Sequence, residues 1–129
     1  MTNLEQLRAK NALKAARTIG QGSEGGDAVE KKVPAQIIAN GFIGALAFAI
    51  EKGAGYADVF RAVIDHLNDV KAMQGIVKTD LPGFLAELCD KSSDQLRAIT
   101  EESMAYLGYL RRFVKSSKTK DEKPCKQQL

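Results

Sequence analysis

His66 is the only histidine in this chain of 129 residues, and it is the first place to look for chemistry. An imidazole can act as a general base or bind a metal, but either role needs partners at the right spacing. There is no second histidine, and no ordered Ser or Cys motif accompanies His66. Cys89 and Cys125 show no CxxC spacing, so zinc is not expected. A small hydrolase using His66, Asp69 or Cys89 is therefore poorly supported, and His66 is expected as a rim residue of its helix. The segment GQGSEGGD, residues 20–27, invites a phosphate-loop reading. It lacks the GxxxxGK[ST] order, no strand precedes it, and it carries Glu24 and Asp27, so it reads as a linker. No catalytic residue, metal or cofactor is expected.

Charge offers a second kind of chemistry. The net charge is +3, but it is unevenly placed. Arg111, Arg112, Lys115, Lys118, Lys120, Lys123 and Lys126 face only Asp121 and Glu122, which leaves the first 110 residues slightly acidic. A basic C-terminal end points to an anionic partner there. In the first helical stretch Lys10, Lys14 and Arg17 recur at spacings of four and three, so they share one side of a helix. That side is either a solvated face or a stripe for phosphates. Asp58, Asp65 and Asp69 fall at nearly one azimuth of another helix. An acidic face repels a phosphate backbone and should point to solvent or to a basic protein surface.

The elements that must position these groups are all helical. The central stretch is Val33–Lys52, VPAQIIANGFIGALAFAIEK, with no charge between Lys32 and Glu51. Pro34 suits its first turn and Gly53 its end. It is barely long enough to span a membrane, and its alanines, amides and early proline favour a helix buried among others. Gly41, Ala45 and Ala49 make a smooth face beside the bulky row Ile38, Phe42 and Leu46, so a tight approach of another backbone is expected. Thr2 or Asn3 can cap a first helix that runs to about Ile19. A short piece, Ala28–Lys32, leads into the central helix. A third helix runs from about Tyr56 to Ala72, with Tyr56, Val59, Phe60, Val63, Ile64, Leu67 and Val70 inward. Gln74 to Asp80 connect it to a short helix holding Pro82, with Leu81, Phe84, Leu85 and Leu88 inward. Ser92 and Gln95 form a possible capping box for the last helix, about Asp94 to Lys115. Its inward stripe holds Leu96, Ile99, Ser103, Tyr106, Leu107, Leu110, Phe113 and Val114. The expected fold is all-α, a compact bundle of about five helices around a buried central helix. Residues 1–115 form the domain, and 116–129 form a basic tail expected to be disordered alone. The start, MTNLEQLRAK, has no apolar signal core, and a cytoplasmic protein with reduced thiols is expected.

Two stretches together resemble one family. VPAQIIANGFIGALAFAIEKG resembles the pattern Pro-x-x-Ile-x-x-Asn-Gly-Leu, then Ala-Phe, then Lys, matched by Pro34, Ile37, Asn40, Gly41, Ala47, Phe48 and Lys52. ITEESMAYLGYLRRFVKS resembles Thr-x-Glu, a hydrophobic run and Trp-Leu-Lys-Arg-Phe-Ala, matched by Thr100, Glu102, Leu110, Arg112 and Phe113. Phe42, Tyr109, Arg111 and Val114 depart from the pattern by same-class swaps. The family is the small all-helical subunit of the type III-B CRISPR effector, the Cmr complex. The resemblance implies a subunit without nuclease activity. Copies stack along the effector filament beside a repeating backbone subunit and help hold target RNA paired with guide RNA. On that reading Lys10, Lys14, Arg17, Arg111, Arg112 and Lys115 would meet phosphates, with Lys31, Lys32 and Lys52 as second choices. Asp58, Asp65 and Asp69 would meet protein. Affinity without sequence readout is what such cations supply. A protein–protein adaptor with no RNA contact remains the alternative. No membrane and no small-molecule substrate are expected among the partners.

Overall fold

Four of the described helices begin with a capping pair or with a proline in the first turn. The structure is a computed structural model that describes residues 3–19, 32–70 and 80–126, with side chains as far as Val114. The elements are α1 (Leu4–Ile19), α2 (Val33–Lys52), α3 (Ala54–Asp69), α4 (Leu81–Cys89) and α5 (Ser93–Lys126). At α1, Gln6 N donates to Asn3 Oδ1 at 2.8 Å, and Asn3 N donates back to Gln6 Oε1 at 3.0 Å. At α5 the expected box forms: Gln95 N to Ser92 Oγ at 3.2 Å, and Ser92 N to Gln95 Oε1 at 3.0 Å. Two donors are satisfied at each start. Pro34 and Pro82 occupy the first turns of α2 and α4, where a missing N–H is harmless. The linker 20–27, residues 28–31 of the piece before α2, and the connection 74–79 lie outside the described residues. The expected boundary at 115/116 falls inside α5, whose assigned span runs on to Lys126.

The described residues adopt the expected all-α bundle, five helices around a buried one, but the helix in the middle is α3. It packs against each of the other four. Its inner side, Val59, Phe60, Val63, Ile64 and Leu67, is almost fully enclosed. α1 lies along α5, and α2 and α4 close the other side. Phe42 of α2 meets Phe60 and Phe84 edge-on, with ring centroids 5.7 and 6.0 Å apart. At the α2–α3 corner Gly53 takes φ 69° and donates its N–H to Ala49 O at 2.8 Å. That torsion, with ψ −143°, is open to glycine and lets one residue end α2 and begin α3.

α2 keeps its expected ends, yet it is not surrounded. It meets the length and hydropathy of a membrane span, but Val33, Ile37, Phe42, Ala45, Leu46 and Ala49 are buried in the bundle. Ile38, expected in the bulky inner row, is 77% exposed. The cause is Gly41, whose φ of 84° and ψ of 163° break the helix into two. In an unbroken helix, at 100° per residue, Val33 and Ile37 would face about 150° away from the Phe42–Ala49 set. The segment looks apolar on all sides because its two halves bury opposite sides. The expected tight approach at Gly41 is also absent: a Cβ there would meet nothing within 4 Å.

Candidate functional site

Two contacts fix how α1 and α5 run. Arg8 reaches Glu102, and Tyr109 Oη donates to Glu5 Oε2 at 3.1 Å. Residue numbers rise along α1 as they fall along α5, so the pair is antiparallel. Lys10, Lys14 and Arg17 therefore progress toward the start of α5, while Arg111 and Arg112 lie beyond Glu5. At 1.5 Å rise per residue, Arg112 stands about 12 Å along the axis from Lys10 and about 22 Å from Arg17. The two basic groups share a helix pair but occupy opposite ends of it. Lys10, Lys14, Arg17, Arg111 and Arg112 are exposed, as are Lys32 and Lys52 at the two ends of α2. Lys31 and the side chain of Lys115 lie outside the described residues.

Asp58, Asp65 and Asp69 are exposed and line a groove of about 530 Å³ between α3 and α1. Lys14 lines the same groove, with Asn11 and Thr18 beside it. The stripe expected to face phosphate and the row expected to avoid it thus meet across one cleft at Lys14. Partial burial raises the Asp65 carboxyl above its ordinary value, and the Lys14 charge works against that rise. Arg61 bonds Asp58 at 3.3 Å across one turn.

The floor of the groove is a polar joint that the sequence reading missed. His66, expected at the rim, is 1% exposed. Its edge of α3 is the edge that α1 and α5 cover. The Asn11 amide donates to Nδ1 at 2.9 Å, and Nε2–H donates to Glu102 Oε2 at 2.8 Å, which assigns the tautomer. The ring stacks on Tyr106, centroids 4.3 Å apart and planes within 11°. Arg8 completes the joint with a forked contact, Nε to Oε2 at 2.8 Å and Nη2 to Oε1 at 2.7 Å. Asn11 also donates to Asp69 Oδ2 at 3.0 Å. Burial alone would raise the Glu102 carboxyl, but the bonds from Arg8 and His66 outweigh it and hold the pKa below the ordinary value. Burial, aided by the Asp65 charge, pushes the Tyr106 hydroxyl far up, so it stays neutral. The joint had a sequence signal: Arg8 shares the inner side of α1 with Ala12, and Glu102 that of α5 with Ile99 and Tyr106. Charged residues placed inward on separate helices need one another.

Among the described residues no group of three or more His, Cys, Asp or Glu side chains could hold a metal. His66 has both ring nitrogens engaged and a face covered, which leaves no lone pair for a substrate. The arrangement joins three helices and presents charge outward.

Comparison with known proteins agrees with the fold. Residues 4–117 match the family model described as CRISPR-associated protein (Cas_Cmr5). A crystal structure of a CRISPR-associated Cmr5 family protein from Thermus thermophilus superposes with a TM-score of 0.73 at 22% identity. The match covers 90% of this chain and 97% of that one. No curated protein sequence matches. With the family model spanning most of its length, the chain belongs to the Cmr5 family of CRISPR-associated proteins.

Proposed function

We propose that this Cmr5 protein is a non-catalytic, cytoplasmic subunit that stacks along the Cmr filament and touches the backbones of guide and target RNA. The family indicates a subunit of the type III-B Cmr complex, with other Cmr subunits as partners. The observation that carries the RNA reading is the placement of Lys10, Arg17, Arg111 and Arg112, all exposed, on one antiparallel helix pair. Such cations release counterions from phosphates without reading bases, and guide pairing supplies the sequence. Lys14 contributes less, because Asp65 already stands near it. Lys31, Lys32, Lys52 and Lys115 are secondary contacts in this reading. The absence of catalysis is supported by His66, whose ring is enclosed and bonded on both nitrogens.

The test is charge reversal at Arg111, Arg112 and Lys115 to Glu within the assembled complex. RNA association should weaken, and its salt dependence should flatten by about one unit of log–log slope per lost phosphate contact. Unchanged RNA association at low and high salt would show that these residues do not face RNA.

A protein-only adaptor role draws support from the acidic wall Asp58, Asp65 and Asp69, which suits a basic protein surface. Replacing all three by Asn should then detach the subunit from its protein neighbours. The charge reversal on α5 would leave RNA association as it was.

A further inference from the structure

We propose that Gly41 is a hinge that lets α2 adopt two forms: the broken form seen here and an unbroken helix that buries a different face of its first half. The torsions of Gly41 and the surroundings of Gly44 carry this. The Gly41 torsions, φ 84° and ψ 163°, lie where only glycine is at ease. No neighbour requires its small size, so the glycine serves the break and nothing else. Gly44 serves the break in a second way. A Cβ on Gly44 would stand 3.2 Å from Asn40 Cβ, inside ordinary contact distance. In a regular helix, side chains four residues apart have Cβ atoms about 5–6 Å apart, so that crowding belongs to the broken form alone.

The exposed face shows what the other form would bury. Ile38 is 77% exposed and Ala35 is exposed, while Val33 and Ile37 are buried. Continue the second half of α2 as a regular helix toward its start. Ile38 and Ala35 then fall within about 30° of the stripe formed by Phe42, Ala45, Leu46 and Ala49. Val33 and Ile37 turn outward. The exchange trades one isoleucine for another and a valine for an alanine. In return it restores the backbone pairing that a break removes from the adjoining turns. The two forms present different apolar faces of one helix to whatever lies alongside.

The experiment is thiol labelling of the full chain in a Cys89→Ser, Cys125→Ser background carrying either Ile38→Cys or Ile37→Cys. With both glycines present, the thiol at position 38 should react fast and the one at 37 slowly. Combining Gly41→Ala with Gly44→Ala should reverse that order while the helical circular dichroism is kept. A folded variant that keeps the original order overturns the proposal. So does loss of the fold, because the bundle then cannot hold an unbroken α2. Gly44→Ala alone is the milder variant. It should speed labelling at position 37 by about fivefold, because the crowding against Asn40 Cβ burdens the broken form alone, with no loss of global stability. An unchanged rate there overturns the proposal too.

Discussion

The α1–α3–α5 joint and helix α2 solve the same packing problem in opposite ways. The joint holds three helices together through Arg8, Glu102, His66 and Asn11, each with a directed bond. α2 holds on by apolar contact, and from Val33 to Ile50 it has no charged group at all. Hydrogen bonds have preferred distances and angles, so the joint has one register. Apolar contact has none, and a helix that is greasy on every side can seat more than one face. The break at Gly41 is where that freedom is used. Direction comes from the polar side of the molecule, and area comes from the apolar side.

If that division is right, the largest single loss should come from the apolar side. Phe42 is 3% exposed and touches two other rings edge-on. Phe42→Ala should cost about 4 kcal/mol, through lost transfer energy and the cavity left behind. Urea denaturation checks this: the midpoint should fall with the slope unchanged. A loss under about 1 kcal/mol would mean that α2 contributes little, since such values belong to surface sites.

Removing Glu102 should come next. Glu102→Ala strands the Arg8 guanidinium and one His66 nitrogen, and it should cost about 3 kcal/mol, the low end for breaking a buried pair. Arg8 keeps a quarter of its side chain in solvent, which argues for the low end. The same urea experiment separates it from Phe42→Ala when run in combination. The two sites share no partner, so the losses should add to within about 0.5 kcal/mol.

Acid should then find the joint before it finds α2. The Glu102 carboxyl is held below its ordinary value of 4.5, so the folded state binds fewer protons there than the unfolded chain. Its contribution is complete above that ordinary value and declines as pH falls through the folded value. Asp65 runs the other way: its raised pKa makes the folded state the readier proton acceptor, so acid relieves it. The cleanest measurement is the difference between wild type and Glu102→Gln, recorded by thermal melts from neutral pH downward. That difference should be constant at neutral pH and shrink in acid. A difference independent of pH would mean that the carboxylate charge is not what Arg8 and His66 hold.

How much of this was legible beforehand follows the same division. The ends of α2 were readable because charges, Pro34 and Gly53 bound it. The caps at Asn3 and Ser92 were readable because capping is local chemistry. The inner residues of α3, α4 and α5 were readable from their helical period. The phase of α2 was not, since uniform grease carries no phase and one backbone torsion reset it. His66 was misplaced because an α3-only view cannot show that α1 and α5 cover its edge. The basic residues were found one helix at a time. That Lys14 faces Asp65, and that Arg17 and Arg112 lie at opposite ends of a pair, depends on α1 and α5 running antiparallel.

The smallest effect is the sharpest test of the apolar side. Ile38 is the most exposed large hydrophobic residue described, at 77%. In the broken form it contributes almost no burial, so Ile38→Ala should change global stability by less than about 0.5 kcal/mol. Ala is also the better helix former, which offsets any small loss. Ile37, its neighbour, is 4% exposed, and Ile37→Ala should cost about 3 kcal/mol by the same denaturation. Adjacent isoleucines in one apolar run would then differ by most of the range a core substitution spans. Equal costs at 37 and 38 would mean that both faces of the first half are buried in solution. The contrast between a directed joint and an undirected helix would then have to be redrawn around an α2 that is enclosed after all.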